Sequence, residues 1–435
     1  MMERAGRTLA VVALALAALV GTRGAQPAAA QQLPMATPES VGMSSERLQR
    51  LDATLQRYID DDMVAGVVSL VARDGKVVHH SALGSRYIEG DEPMDTDALF
   101  VIMSMTKPIV STALMMLFEE GYFLLDDPIS KYAPEFADKD VVVEGQGGVE
   151  RIPAARPITF RHILTHTAGV DPSRDLLTDA EREVAGRRAT LAETMAARGP
   201  LPLAFHPGDQ WNYGSSTDYV AYMVERISGQ RVDRFLQERV FGPLRMVDTH
   251  YNVPESKLDR VAAVYSPTGP NSTIELRRPP EVSETAYFGG VAGLSSTTSD
   301  YFRFAQMILN GGELDGVRLL SPSTVNLMIT NHTGDLPIYI RGRDAYGFGL
   351  SFSMLTDPDN SREALTPGSF GWGGAWGTVF WIDPTERTVM VFMTQISSYS
   401  HFNIRQDFPN MVMQAITDSH RTGPGGIGGY RPIPR

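Results

Sequence analysis

The chain has 435 residues, with 39 Lys and Arg against 51 Asp and Glu, a formal net charge of −12 and no cysteine. This length accommodates two domains, or one large domain with an insertion. An acidic chain whose only basic cluster is a few arginines near Arg277 and Arg278 is a poor match for nucleic acid. Without cysteine there is no disulfide, no thiolate metal site and no cysteine nucleophile.

The N-terminus reads as a secretory signal over residues 1–30. Arg4 and Arg7 precede a short apolar run at 8–20, and Ala28, Ala29 and Ala30 offer a small-residue cleavage site. An uncleaved amphiphilic anchor is the other reading of the same residues. After cleavage no integral membrane segment is expected, and the location expected is periplasmic or secreted. Residues 99–118 are long enough to span a bilayer, but Lys107 and Pro108 sit in their middle, so a strand end followed by a buried helix is the better reading.

Residues 44–61 predict an amphipathic helix, with serines at its start and Leu48, Leu51, Leu55, Tyr58 and Ile59 at helical spacing. Residues 66–72 and 77–82 predict two strands joined through Asp74-Gly75, a hairpin signal. Ser104 is expected to open a helix running to about residue 120, with Pro108 near its first turn. Residues 121–286 read as mostly helical with Pro-rich joints, and 300–311 as another amphipathic helix. Residues 371–382 and 388–395 predict two strands around Asp383-Pro384. The Gly- and Pro-rich end, 419–435, is expected to be disordered. Strands near both ends with helices between them imply an α+β fold, one sheet assembled from 35–120 and 287–418 around the inserted region 121–286.

Ser104-Met105-Thr106-Lys107 is the one place where a serine precedes a lysine by three residues, in a chain with five lysines. Lys107 is also the only charge between residues 99 and 118. A lone ammonium in an apolar stretch costs free energy unless it has a partner or a task. On a helix, i and i+3 share a face, so Lys107 would lie over the Ser104 hydroxyl. Apolar surroundings favour the neutral amine, which is a means of activating serine without histidine. Chance alone supplies roughly one such spacing in a chain of this length, so the setting carries more weight than the spacing.

The setting consists of ordered motifs. Leu125-Asp126-Asp127-Pro128-Ile129-Ser130-Lys131-Tyr132, His162-Ile163-Leu164-Thr165-His166-Thr167-Ala168-Gly169 and Tyr213-Gly214-Ser215 follow Ser104 in that order. Leu309 to Pro322, Tyr346-Gly347-Phe348-Gly349-Leu350 and Trp372-Gly373-Gly374-Ala375 come next. This series resembles the serine β-lactamase-like superfamily, which includes class C β-lactamases, D-Ala-D-Ala carboxypeptidases and family VIII carboxylesterases. The resemblance implies a β-lactamase/transpeptidase-like fold, a central antiparallel sheet flanked by helices, and an acyl-enzyme on Ser104. It also implies that Lys107 assists deprotonation and that Tyr213 serves as general base and later protonates the leaving group. A phenol suits that task when a cation stands beside it. Ser215 replaces the asparagine of many relatives and would donate to Lys107 or to substrate. The amides of Ala375 and Ser104 would form the oxyanion hole, each donor contributing a few kcal/mol.

Trp372, Gly373 and Gly374 stand where β-lactamases carry Lys-Thr-Gly. Tryptophan cannot hold a carboxylate as lysine does; it offers an apolar face and one N–H. The exchange favours neutral or hydrophobic esters over penicillins. His162 and His166 have i, i+4 spacing, but Ile163 replaces the glutamate of a zinc-protease helix, so neither a metal nor a cofactor is expected. No G-x-S-x-G elbow occurs. The expected activity is ester hydrolysis on a small-molecule ester or amide substrate, with a β-lactamase, D,D-carboxypeptidase or small-peptide amidase as the alternative.

Overall fold

The structure, a computed structural model, describes residues 33–421 apart from 146–147, 270–272, 283, 339–344 and 399–401. The signal-peptide reading (1–30) and most of the disordered-tail reading (422–435) lie outside the described residues. The chain forms an α+β fold around one antiparallel sheet of eight strands. In chain order these are β1 (Gly66–Arg73), β2 (Lys76–Tyr87), β3 (Glu92–Pro93), β4 (Tyr346–Phe348), β5 (Ser353–Leu355), β6 (Phe370–Gly373), β7 (Val379–Asp383) and β8 (Thr388–Met393). Their spatial order is β4-β5-β6-β7-β8-β1-β2-β3. The two ends of the chain thus meet in the middle, where β1 pairs with β8 with Val68 opposite Met393.

Helices cover both faces of this sheet, so β1 is buried along its whole length. Val68, Leu70 and Ala72 enter one core, whereas Val67 and Val71 enter the other, as the two-residue period of a strand requires. One face carries α1 (Ser45–Asp60) and the C-terminal α5 (Ile404–Met413). Ser44 caps α1 through Arg47 N–H at 3.3 Å, and Leu48, Leu51 and Leu55 form its buried stripe. On the other face lie α2 (Thr106–Glu119), α3 (Ser216–Ser228) and α4 (Thr298–Leu309). All of Thr106 to Leu117 is buried, so α2 lacks the amphipathic pattern of a surface helix. Among the described residues no helix is long and apolar enough to cross a membrane.

Four sequence expectations are corrected. Ser104 does not cap a helix: it lies within a 3-10 turn, Met103–Met105, that precedes α2. The run 371–382 is not one strand but two, because Gly374 to Thr378 turn β6 back into β7. Segment 121–286 is less helical than expected, since it contains the hairpins Asp140–Gly145 with Gly148–Pro153 and Val264–Pro267 with Ile274–Arg278. Ser419 and His420 bond to Glu386 and Asp74, where 419 was expected to begin a disordered tail.

Arg73 and Glu386 form an ion pair at 2.9 Å with side chains 0% and 2% exposed. Arg73 also donates to the carbonyls of Val41, Gly42 and Asp418, joining the sheet to the segments just before α1 and just after α5. Arg73→Met is expected to cost about 3–5 kcal/mol by removing the buried partner of Glu386 and leaving it the half-exposed Arg421, 3.3 Å from Oε1. Urea unfolding measures this, and a loss below 1 kcal/mol would contradict the assignment.

Burial holds His80, His162 and His250 neutral, each pushed from 6.5 down to about 4. The unfolded chain takes up these protons near pH 6.5 and the folded chain only near pH 4. The stability these three contribute is therefore full above about pH 6.5 and declines as pH falls toward 4, against the opposing carboxyl of Asp300, which burial raises to about 7. Melting temperature against pH between 7 and 4.5 tests the sign; a flat curve would refute it.

Candidate active site

The turn Met103–Met105 is held on every side. Ile102 N–H donates to Leu294 O at 2.9 Å, Tyr301 OH to Met105 O at 3.0 Å, and Leu294 N–H to Thr106 Oγ1 at 3.3 Å. Within it Met103 takes a φ of 47°, a left-handed conformation that costs a non-glycine residue about 1–2 kcal/mol. The surrounding bonds absorb that cost and present Ser104 at the start of α2.

Two side chains converge on the Ser104 hydroxyl. The Lys107 ammonium donates to Ser104 Oγ at 3.1 Å, and the Tyr213 phenol donates to the same oxygen at 2.8 Å. Lys107 is 1% exposed and also donates to the Val291 carbonyl at 2.9 Å. Its ammonium lies 4.7 Å from the centre of the Tyr213 ring. Tyr213, 40% exposed, forms the open side of the cluster. A cation and a phenol on one hydroxyl can move a proton off that hydroxyl and steady the charge that results.

Aromatic rings wall in the phenol. Trp372 stands 5.2 Å from the Tyr213 ring, Trp211 stacks at 6.1 Å and His166 packs at 4.9 Å. Trp372 is 7% exposed, and its Nε1 is buried with no partner among the described residues. It therefore braces Tyr213 instead of presenting an N–H at the surface, which differs from the sequence reading. His166 is fully buried, and both its ring nitrogens lack partners among the described residues. Burial, and secondarily Lys107, hold it well below its ordinary pKa, so it is neutral. His162 instead closes its own helix, accepting Thr159 N–H at 3.1 Å.

Gly374 sits where a Cβ would strike Thr378 Oγ1 and the Ile102 carbonyl, so glycine is required for the β6–β7 turn to pack against the Ser104 turn. Thr378 Oγ1 donates to Ile102 O at 3.3 Å. Neither the Ser104 nor the Ala375 amide donates to another described residue. That leaves two N–H groups on adjoining turns.

Ser215 departs from expectation. Its Oγ donates to Asp171 Oδ1 at 2.6 Å and its amide to Oδ2 at 2.7 Å, so its hydroxyl proton is not directed at Lys107. A Cβ at Gly214 would collide with the same carboxylate. The sequence reading missed Asp171, which clamps the turn carrying Tyr213. It missed Arg405 as well, on α5, whose guanidinium lies against Gly373 and donates to the Gly374 carbonyl at 3.4 Å. A positive charge therefore borders β6 even though lysine is missing from the strand. Among the described residues no group of three His, Asp or Glu is placed to hold a metal ion.

Comparison with known proteins places the family of the chain. The beta-lactamase family model matches residues 51–407. Protein Rv1367c of Mycobacterium tuberculosis is 34% identical over 361 residues, covering 79% of this chain and 88% of that protein. Esterase EstB of Burkholderia gladioli is 27% identical over 373 residues, covering 79% and 89%. The solved structure of EstCE1, described as a hydrolase with promiscuous acyltransferase activity, superposes with a TM-score of 0.71 at 23% identity, covering 84% of this chain and 98% of that one. With a family match across most of its length, and with an α+β sheet that superposes on solved members, the chain belongs to the beta-lactamase family of hydrolases.

Proposed function

We propose that the protein is an exported serine hydrolase that cleaves carboxylic esters through an acyl-enzyme on Ser104. The convergence of Lys107 and Tyr213 on one hydroxyl, at 3.1 and 2.8 Å, carries this reading. With the phenol proton released to solvent on the exposed side of Tyr213, the Tyr213 oxygen takes the hydroxyl proton of Ser104 while Oγ bonds to the ester carbonyl carbon. The carbonyl oxygen becomes an oxyanion facing the Ser104 and Ala375 amides. Lys107 steadies both the phenolate and the developing charge. Collapse breaks the bond to the alcohol oxygen, which takes the proton held by Tyr213. Water then bonds to the acyl carbon while Tyr213 accepts its proton; the bond to Ser104 Oγ breaks, Tyr213 returns that proton to Oγ, and the carboxylic acid leaves.

Esters are favoured over amides and β-lactams on two grounds. The wall next to Tyr213 is Trp372, an apolar surface. The hydroxyl of Ser215, which stands where relatives carry an amide side chain, is bonded to Asp171. EstB, named an esterase, agrees with this preference. Arg405 beside Gly373 and Gly374 favours a second reading, in which a substrate carboxylate is bound and a β-lactam or D,D-peptide is cleaved.

The ratio of kcat/KM on p-nitrophenyl butyrate to that on a chromogenic cephalosporin separates the two. A ratio above about a hundredfold is expected for a site lacking polar groups matched to the lactam's amide and carboxylate. Preference for the cephalosporin would put the Arg405 reading first. Export predicts an intact mass from the periplasmic fraction that lacks about 30 N-terminal residues. Recovery of the full-length mass there, or of all the protein in the cytoplasm, would refute it.

A further inference from the structure

The catalytic reading explains what Lys107 does to Ser104 but not what holds Lys107. A buried lysine has a flexible four-carbon stem, and its usefulness depends on the position of its ammonium. Apart from Ser104, its other hydrogen-bond acceptor is the Val291 carbonyl, in a loop ahead of α4. Tyr251 OH holds the middle of that loop through the Gly289 carbonyl at 2.6 Å, and one carboxylate holds the Val291 end.

Asp218, on the first turn of α3, is 1% exposed. Its Oδ1 accepts the Val291 amide at 3.0 Å and its Oδ2 accepts the Tyr287 hydroxyl at 2.7 Å. The two bonds fasten the loop at both ends of Gly289-Gly290. Those glycines are imposed by contact: a Cβ at Gly289 would strike Asp218 Oδ1, and one at Gly290 would overlap the Thr217 carbonyl. Arg187 reaches the carboxylate from outside, its Nη2 at 3.8 Å from Oδ2 and its guanidinium 4.1 Å from the Tyr287 ring centre. The carboxylate is thus closed off by a tyrosine, an arginine and a main-chain amide, none of which touches Ser104.

We infer that Asp218 is the positioning residue for Lys107: by holding Val291 it fixes the carbonyl that aims the ammonium at Ser104. This rests on the role proposed for Lys107. Asp218 itself does not meet substrate. Because α3 also begins next to Tyr213, one helix start positions both groups that act on the serine.

A double-mutant cycle tests this, reading the rate of p-nitrophenol release in the acylation burst together with KM for p-nitrophenyl butyrate. Asp218→Ala is expected to slow acylation by about thirtyfold with KM within twofold, and the loss should shrink below threefold in a Lys107→Ala background. Asp218→Asn, which keeps an acceptor oxygen for Val291 N–H, should recover to within about fivefold of the parent. Tyr287→Phe removes one donor to the same carboxylate without opening a large cavity. It should slow acylation about fivefold, again only when Lys107 is present, and it carries the test if Asp218→Ala does not fold. Losses that persist undiminished without Lys107, or an Asp218→Ala enzyme within twofold of the parent, overturn the inference. If Lys107→Ala alone leaves acylation intact, the proposed role of Lys107 fails instead, a separate and distinguishable result.

Discussion

Ser104→Ala is expected to lower kcat on p-nitrophenyl butyrate by at least about 10⁴-fold while leaving the melting temperature within a degree or two of the parent. The size follows from where the hydroxyl sits. Lys107 and Tyr213 each donate a hydrogen bond to this one oxygen, and alanine leaves them nothing to activate. Water could enter the vacated space, but it would lack the covalent path that divides one difficult step into two easier ones. The turn itself should survive, because Met103–Met105 is held by Leu294, Thr106 and Tyr301 and not by the serine side chain. An active Ser104→Ala enzyme would move the chemistry to another group.

The second large effect concerns the pair that acts on the serine. Lys107→Met and Tyr213→Phe should each reduce kcat by about a hundredfold or more, and the double variant should be barely worse than the poorer single one, since the two act as a unit. Tyr213→Phe keeps the ring packed between Trp372 and His166, so its loss is that of one hydroxyl. Lys107→Met replaces a buried ammonium with an apolar chain of similar length. Stability should not fall and is expected to rise, because a buried charge near an active site is retained for activity at the expense of the fold. Calorimetry alongside kinetics checks both halves. A variant that loses stability and activity together would mean that Lys107 is a structural residue.

The serine, lysine and tyrosine were legible because each lies in a short motif whose order along the chain is itself informative. The β1–β2 hairpin was legible from Asp74-Gly75, both with positive φ in the structure. The 3-10 turn at Ser104 was not. Serine followed by an apolar helical run looks like a cap, and only the fixing contacts from Leu294 and Tyr301, distant in sequence, pull the hydroxyl toward Lys107 instead. The orientation of Ser215 was hidden for the same reason, since Asp171 lies 44 residues away. Asp218 meets Val291 across 73 residues, and the local signal that could have pointed there was the Gly289-Gly290 pair, a mark of close backbone approach. The break between β6 and β7 was masked by strand-forming residues on both sides of Gly374 to Thr378. Arg405 lay on a helix whose approach to β6 depends on how the sheet is covered, which composition does not encode.

The most direct test of the account is the site of acylation. The protein would be quenched in acid during turnover of p-nitrophenyl butyrate, digested, and its peptides weighed. The account predicts a butyryl mass on the peptide containing Ser104, absent from Ser104→Ala. A butyryl group on any other residue, or full turnover by Ser104→Ala, would contradict it.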